Sequence, residues 1–233
     1  MPEAGAPGGP DAVLAAQSNP MKPRSHRIWM TPLAWLAGSV LVFAEIVLPF
    51  GRLELSNNLS RAYFEHDVIS GSEWDAQGFN SGSANRLRRV TLNLFRDIEA
   101  TPSGRYWVRL HDDSGPGGGP GTNVVGTIAT NKSVEDLSTS PENLVVFWGL
   151  SINMHPNRTY FIVVGAEEGT EGLRWGYTND PVGANGFPAI FTYTADGGAT
   201  WRTPFMNALP QRVQVVGDVG EDTWEWDEYR TDR

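Results

Sequence analysis

Two hydrophobic patterns divide this chain. Residues 28–50 are apolar almost without break, with Glu45 the only formal charge; after Leu53, short runs rich in Val, Ile, Thr, Tyr, Phe and Trp alternate with Gly, Pro, Asn and Asp. Read as a helix, the first run rises about 34 Å, enough to cross a hydrocarbon core of about 30 Å. It predicts a single transmembrane helix over 28–50. Lys22, Arg24 and Arg27 precede it, so the positive-inside rule predicts a cytoplasmic N-terminus and an exported C-terminal part. Trp29 and Trp35 suit first turns near the headgroups. A cleaved signal peptide is the rival, because Val42-Phe43-Ala44 offers a peptidase site before Glu45. The apolar core exceeds the usual length of about 7 to 15 residues in signal peptides, which favours an uncleaved anchor.

The second pattern has period two. Across 87–95, Val90, Leu92 and Leu94 alternate with Thr91 and Asn93, the signature of a half-buried strand. Across 106–111, Tyr106, Val108 and Leu110 take one face, and Trp107 and Arg109 the other. Segments 144–148 and 160–164 are nearly all apolar, which predicts strands in the middle of a sandwich. Segments 172–178, 189–194, 199–205 and 211–216 complete the series, and nothing after the anchor has a convincing helical period. The expected fold is all-β, a β-sandwich or jelly-roll-like domain preceded by a single transmembrane α-helix. Four segments follow: a Gly/Pro/Ala-rich cytoplasmic tail (1–27), the helix (28–50), an extracytoplasmic sandwich (51–218) and an acidic aromatic tail (219–233).

Composition narrows the chemistry. The 233 residues include no cysteine, which excludes disulfides, thiolate metal sites and a cysteine nucleophile. Net charge is −9 and uneven: from Gly217 onward, seven acids against two arginines leave −5. With no basic stripe to neutralise phosphates, nucleic acid is not an expected partner. The histidines His26, His66, His111 and His155 lack the i, i+4 spacing of a helical zinc site. His155 reads as a turn residue. His66, between Glu65 and Asp67, reads as part of a solvated charged turn, with a metal ligand as the alternative. Asp112-Asp113 opens a Gly-rich loop reaching Gly121 that has no phosphate-loop signature; a contribution to a calcium site is its functional alternative. No Gly-x-Ser-x-Gly elbow occurs. Catalytic residues, cofactors and resident metals are therefore not expected. The apolar run lacks histidine, so it offers no axial ligand for haem or chlorophyll.

Interaction surfaces are better marked. Within the helix, Trp35, Gly38 and Glu45 are the candidate contacts to other membrane subunits: an intramembrane charge usually faces protein, and small residues let helices approach. In the tail, Trp224, Trp226 and Tyr229 stand among acids, a composition that suits partner anchoring better than disorder. Packing back on the chain's own sandwich is the alternative. Trp175, Tyr177 and Trp201 form the candidate glycan-stacking platform, with core packing as the competing use.

One resemblance rests on the order of several short segments. They are Ala76-Gln77-Gly78-Phe79, Val90-Thr91-Leu92-Asn93-Leu94, the stretch from Val108 through Leu110, Asp113 and Gly115 to Pro120-Gly121, and His155-Pro156-Asn157-Arg158-Thr159-Tyr160. This order resembles the bacterial domain family called choice-of-anchor R over about residues 74–216. The resemblance implies an extracytoplasmic β-sandwich whose members differ in their surface attachment, and implies no common catalytic residues. Here the N-terminal helix takes the anchoring role.

The expected function is that of a non-enzymatic, single-span accessory subunit of a membrane protein complex, in the class of photosynthetic reaction-centre and other energy-converting assemblies. It would sit in the inner membrane, among other subunits and lipid, with its sandwich in the periplasm. A membrane-tethered carbohydrate- or cell-wall-binding module is the alternative.

Overall fold

A computed structural model describes residues 46–48, 52–180, 190–203 and 209–220. In chain order the strands are β1 (Ile46–Leu48), β2 (Arg52–Asn57), β3 (Glu65–Ile69), β4 (Trp74–Asn80), β5 (Arg86–Leu92), β6 (Leu94–Arg96) and β7 (Arg105–Asp112). After a 3-10 turn at Pro116–Gly118 come β8 (Val124–Ser133), β9 (Val145–Phe147), β10 (Ile152–Asn153), β11 (Thr159–Ala166), β12 (Leu173–Tyr177), β13 (Phe191–Thr194) and β14 (Val213–Asp218).

Every pairing is antiparallel, which fits the alternating pattern of the sequence. One sheet runs β1-β2-β14-β5-β10, with β9 also paired to β5; a second runs β13-β4-β11-β7-β8; a third, smaller sheet runs β3-β12-β6. The inward positions of all three meet in one cluster. Leu87, Val90 and Val215 come from the first sheet, Val108, Leu110 and Ile162 from the second, and Leu173 and Trp175 from the third. The architecture is therefore all-β and sandwich-like. β11, the central strand of its sheet, is buried on both faces because Tyr160, Ile162 and Val164 enter the main core while its outer residues Phe161 and Val163 join a separate cluster with Ala76 and Trp107, covered by Trp74, Ile190 and Trp201. Trp107 can lie flat there because the strand beside it carries Gly165, where a Cβ would come within 2.2 Å of the indole.

Several expectations hold residue by residue. Tyr106, Val108 and Leu110 line the main core while Trp107 faces the second cluster. The strand expected over 87–95 is broken at Asn93 into β5 and β6, which belong to different sheets.

Other expectations need correction. Segment 199–205 forms no strand among its described residues; Arg202 makes a single bridge to Tyr193. The preceding turn explains this: Thr194 and Thr200 both bond the Asp196 carboxylate, with Oγ–Oδ distances of 2.6 Å, and Gly197 and Gly198 take positive φ. His66 lies not in a turn but on β3, its ring set edge-on to Phe95 and 2.9 Å from the Tyr63 hydroxyl. Segment 144–148 is not a sandwich interior either, since β9 reaches the sheet only through β5. At the end of the expected membrane helix, Ile46–Leu48 is a strand paired with β2. A short apolar run with β-branched residues serves either state, and pairing with β2 decides it. Among the described residues no helix is long and apolar enough to cross a membrane; residues 28–45 lie outside that set.

Candidate functional site

Two surfaces stand out from the scaffold. The first is on β9. Val145 and Phe147 turn inward, opposite Leu92 and Val90 of β5. The alternation that buries them sends Leu144, Val146 and Trp148 outward, at 45%, 48% and 80% exposure. Leu144 and Val146 also border a hollow of about 600 Å³, together with Leu137, Lys132 and Asp136. The phenol of Tyr106 lies in its wall; burial first, and then the nearby Asp136, push that group up to about 12, so it remains protonated. The result is an apolar stripe beside a depression with one base and one acid.

A buried polar knot sets the position of this stripe. Asn93, where β5 gives way to β6, has no exposed surface. Its Nδ2 donates to the carbonyls of Pro141 and Asn143, both at 2.8 Å, and its Oδ1 accepts from Arg212 Nη1 at 3.1 Å. Arg212 also donates to Glu142 Oε2 at 2.7 Å and to the Leu59 carbonyl at 2.9 Å. Asn143 Nδ2 donates in turn to the Leu94 carbonyl at 2.7 Å. The loop that enters β9 is thus held from both sides. Gly176 of β12 completes the arrangement, because a Cβ there would stand 2.1 Å from Asn93 Oδ1.

The second surface is a cleft of about 440 Å³ between β3 and the β4–β13 edge, lined by Asp67, Glu73, Asp75, Phe191 and Tyr193 among others. Strand register builds it. Tyr193 lies opposite Asp75, and Phe191 opposite Gln77. The two aromatic rings are stacked, with centroids 6.4 Å apart and planes 23° from parallel. Asp67 Oδ2 accepts from Gln211 Nε2 at 2.6 Å, and the backbone N–H of Gln211 donates to Gln77 Oε1 at 2.9 Å. Asp75 is only 4% exposed, and its Oδ2 has no hydrogen-bond partner among the described residues. Burial first, then the charges of Asp67 and Glu73, hold the Asp75 carboxyl well above the usual carboxylate range. Burial likewise raises Asp67, against the lowering effect of its bond from Gln211.

The residues singled out from sequence fare differently. Trp175 has no exposed surface, and its indole N–H donates to the Arg212 carbonyl at 3.2 Å; it is a core residue. Tyr177 donates its hydroxyl to Glu65 Oε2 at 3.0 Å. Trp201 packs against the Ala76–Trp107–Phe161 cluster on the second sheet. The three rings therefore share no surface, and the glycan platform expected from them is not assembled. Asp112 is committed within its own loop: burial would raise its carboxyl, but bonds from Ser114 and Asn123 outweigh that and lower it. Among the described residues no group of acids and histidines could hold a metal ion. Trp35, Gly38, Glu45, Trp224, Trp226 and Tyr229 lie outside the described residues.

Sequence reading missed both surfaces. For the stripe, 144–148 is apolar throughout, so the sequence marks a strand there but not which of its faces stays uncovered. For the cleft, the signal was weak: Asp75 and Gln77 occupy the inward positions of a strand whose next inward residue is Phe79, and polar residues at core positions are rare without a partner. In comparisons with known proteins, no family model and no curated protein matches this chain.

Proposed function

We propose that this chain is a non-enzymatic accessory subunit that docks on a partner protein of a membrane complex through the Leu144–Val146–Trp148 stripe. The observation that carries the reading is Trp148. A tryptophan at 80% exposure, aligned with two further exposed apolar residues beside a hollow, gains most from being covered. Interface cores favour such aromatic anchors. The stripe sits on a loop and strand locked by Asn93 and Arg212, so little ordering is needed on binding.

The apolar run and its preceding basic residues support a single-pass subunit of the inner membrane with the β-domain on the periplasmic side; because Ile46–Leu48 pairs with β2, the span would be confined to 28–45, a rise of about 27 Å. Resemblance to the choice-of-anchor R family agrees with an extracytoplasmic sandwich. Trp35, Gly38 and Glu45 would contact neighbouring membrane helices, and Trp224, Trp226 and Tyr229 would add a second contact outside. Energy-converting assemblies, photosynthetic reaction-centre complexes included, are the class of partner that suits a subunit with these parts.

A photoreactive phenylalanine analogue at position 148 tests the reading in intact cells. A discrete adduct with another membrane-complex subunit is expected. The same analogue at position 98, where Ile98 is 79% exposed, should give none. Absence of an adduct from 148, or equal adducts from both, counts against it.

A further inference from the structure

The cleft between β3 and β13 is unlike the rest of the surface. Three carboxyl groups, Asp67, Glu73 and Asp75, come from β3, the turn after it and β4, and among the described residues no Lys or Arg lines the opening. β13 contributes only uncharged groups, chiefly Phe191 and Tyr193. Glu65, further along β3, is engaged by the Tyr177 hydroxyl. Such a site is rich in acceptors and poor in donors, and the imbalance is sharpest at Asp75. Its Oδ2 is buried and has no donor among the described residues. A buried carboxylate without a partner is unfavourable, so the group keeps its proton unless a cation reaches it.

We propose that this cleft binds a small primary ammonium, its N–H groups seated on Asp75 and its carbon body against Phe191 and Tyr193. A primary ammonium supplies both missing terms, a positive charge and N–H donors. A neutral hydroxyl supplies a donor but leaves the carboxylates uncompensated. A quaternary ammonium supplies charge but leaves Oδ2 without a donor. A metal ion is disfavoured because the carboxyl groups do not converge on one point. Stacked rings beside the acids add an apolar wall and a cation–π surface. The volume suits a compact ligand, within the range of about 300–1,000 Å³ typical of small-molecule sites. The cleft is distinct from the β9 stripe, with no lining residue in common, so either can fail without the other.

Calorimetric titration of the full chain in mild detergent with 1,5-diaminopentane tests the proposal. Saturable binding at one site is expected, with tetramethylammonium and sorbitol weaker by at least about tenfold. Asp75→Asn keeps the shape, removes the carboxyl that a bound ammonium would hold ionised, and should weaken the diamine by at least about tenfold. Glu73→Gln at the exposed rim should weaken it by a smaller factor and serves if Asp75→Asn does not fold. The proposal is overturned by the absence of saturable binding, by an unchanged affinity in Asp75→Asn or, failing that variant, in Glu73→Gln, or by sorbitol or tetramethylammonium binding as tightly as the diamine.

Discussion

Arg212 Nη1 lies 3.1 Å from Asn93 Oδ1, both residues buried, at the one point where the β5 strand leaves its sheet and continues into another as β6. This pair joins the strand break to the loop that carries the β9 stripe. Asn93→Ala strands the Arg212 donor and two loop carbonyls. With about 1–3 kcal/mol for each of these three groups left unsatisfied, it should cost at least about 3 kcal/mol in chemical denaturation. Protease sensitivity should rise first within 138–144, because that loop loses its anchor.

Gly176 tests the same junction sterically. Its missing Cβ leaves room for Asn93 Oδ1, and an added methyl would overlap that atom. Gly176→Ala should destabilise by about 1–3 kcal/mol, as overpacking does in a rigid interior. Combined with Asn93→Ala it should cost less than the sum of the two, because the clash disappears with the amide. Strict additivity in a double-mutant cycle would contradict the contact.

The two tryptophans Trp148 and Trp175 should behave oppositely. Trp175→Ala empties a fully buried site and should cost about 3–5 kcal/mol. Trp148→Ala removes an exposed ring and should change stability by less than about 0.5 kcal/mol. Thermal or denaturant midpoints read both directly.

Asp75 gives a pH dependence with a definite sign. Its folded-state pKa is raised above the ordinary 3.8, so the native chain holds a proton that the unfolded chain has lost. This contribution is fully present below about pH 4 and is lost as pH rises through the folded-state value. Asp75→Asn removes the ionising group. The variant should equal the native chain below about pH 4 and exceed it in stability at about pH 8. A native chain that stays the more stable at the higher pH would show that the carboxylate has a partner there.

Much of the fold was legible because period-two apolar positions mark β5 and β7, while β11, buried on both faces, shows as a continuous apolar run. What escaped has physical causes. β4 reads W-D-A-Q-G-F-N, with Asp75 and Gln77 at inward positions, so alternation of hydrophobicity is lost although alternation of faces is not. β3 reads E-H-D-V-I and passes for a solvated turn; pairing with β12 makes it a strand. β9 was recognised as a strand, but a local run of apolar residues cannot distinguish a central strand from one that leaves a face uncovered. The cleft depends on pairings between Asp75 and Tyr193 and between Asp67 and Trp175, far apart in sequence, and no local motif encodes them.

We propose that the β9 stripe docks this chain on a protein partner. Full-length chain carrying Trp148→Asp, expressed at native level and purified from membranes in mild detergent beside the unaltered chain, measures it most directly. Trp148 is exposed, so the isolated variant should keep its thermal midpoint. A partner should co-purify in fixed proportion with the unaltered chain and fall by at least about tenfold with the variant. Equal recovery with the variant, or an unaltered chain that purifies alone, would contradict it.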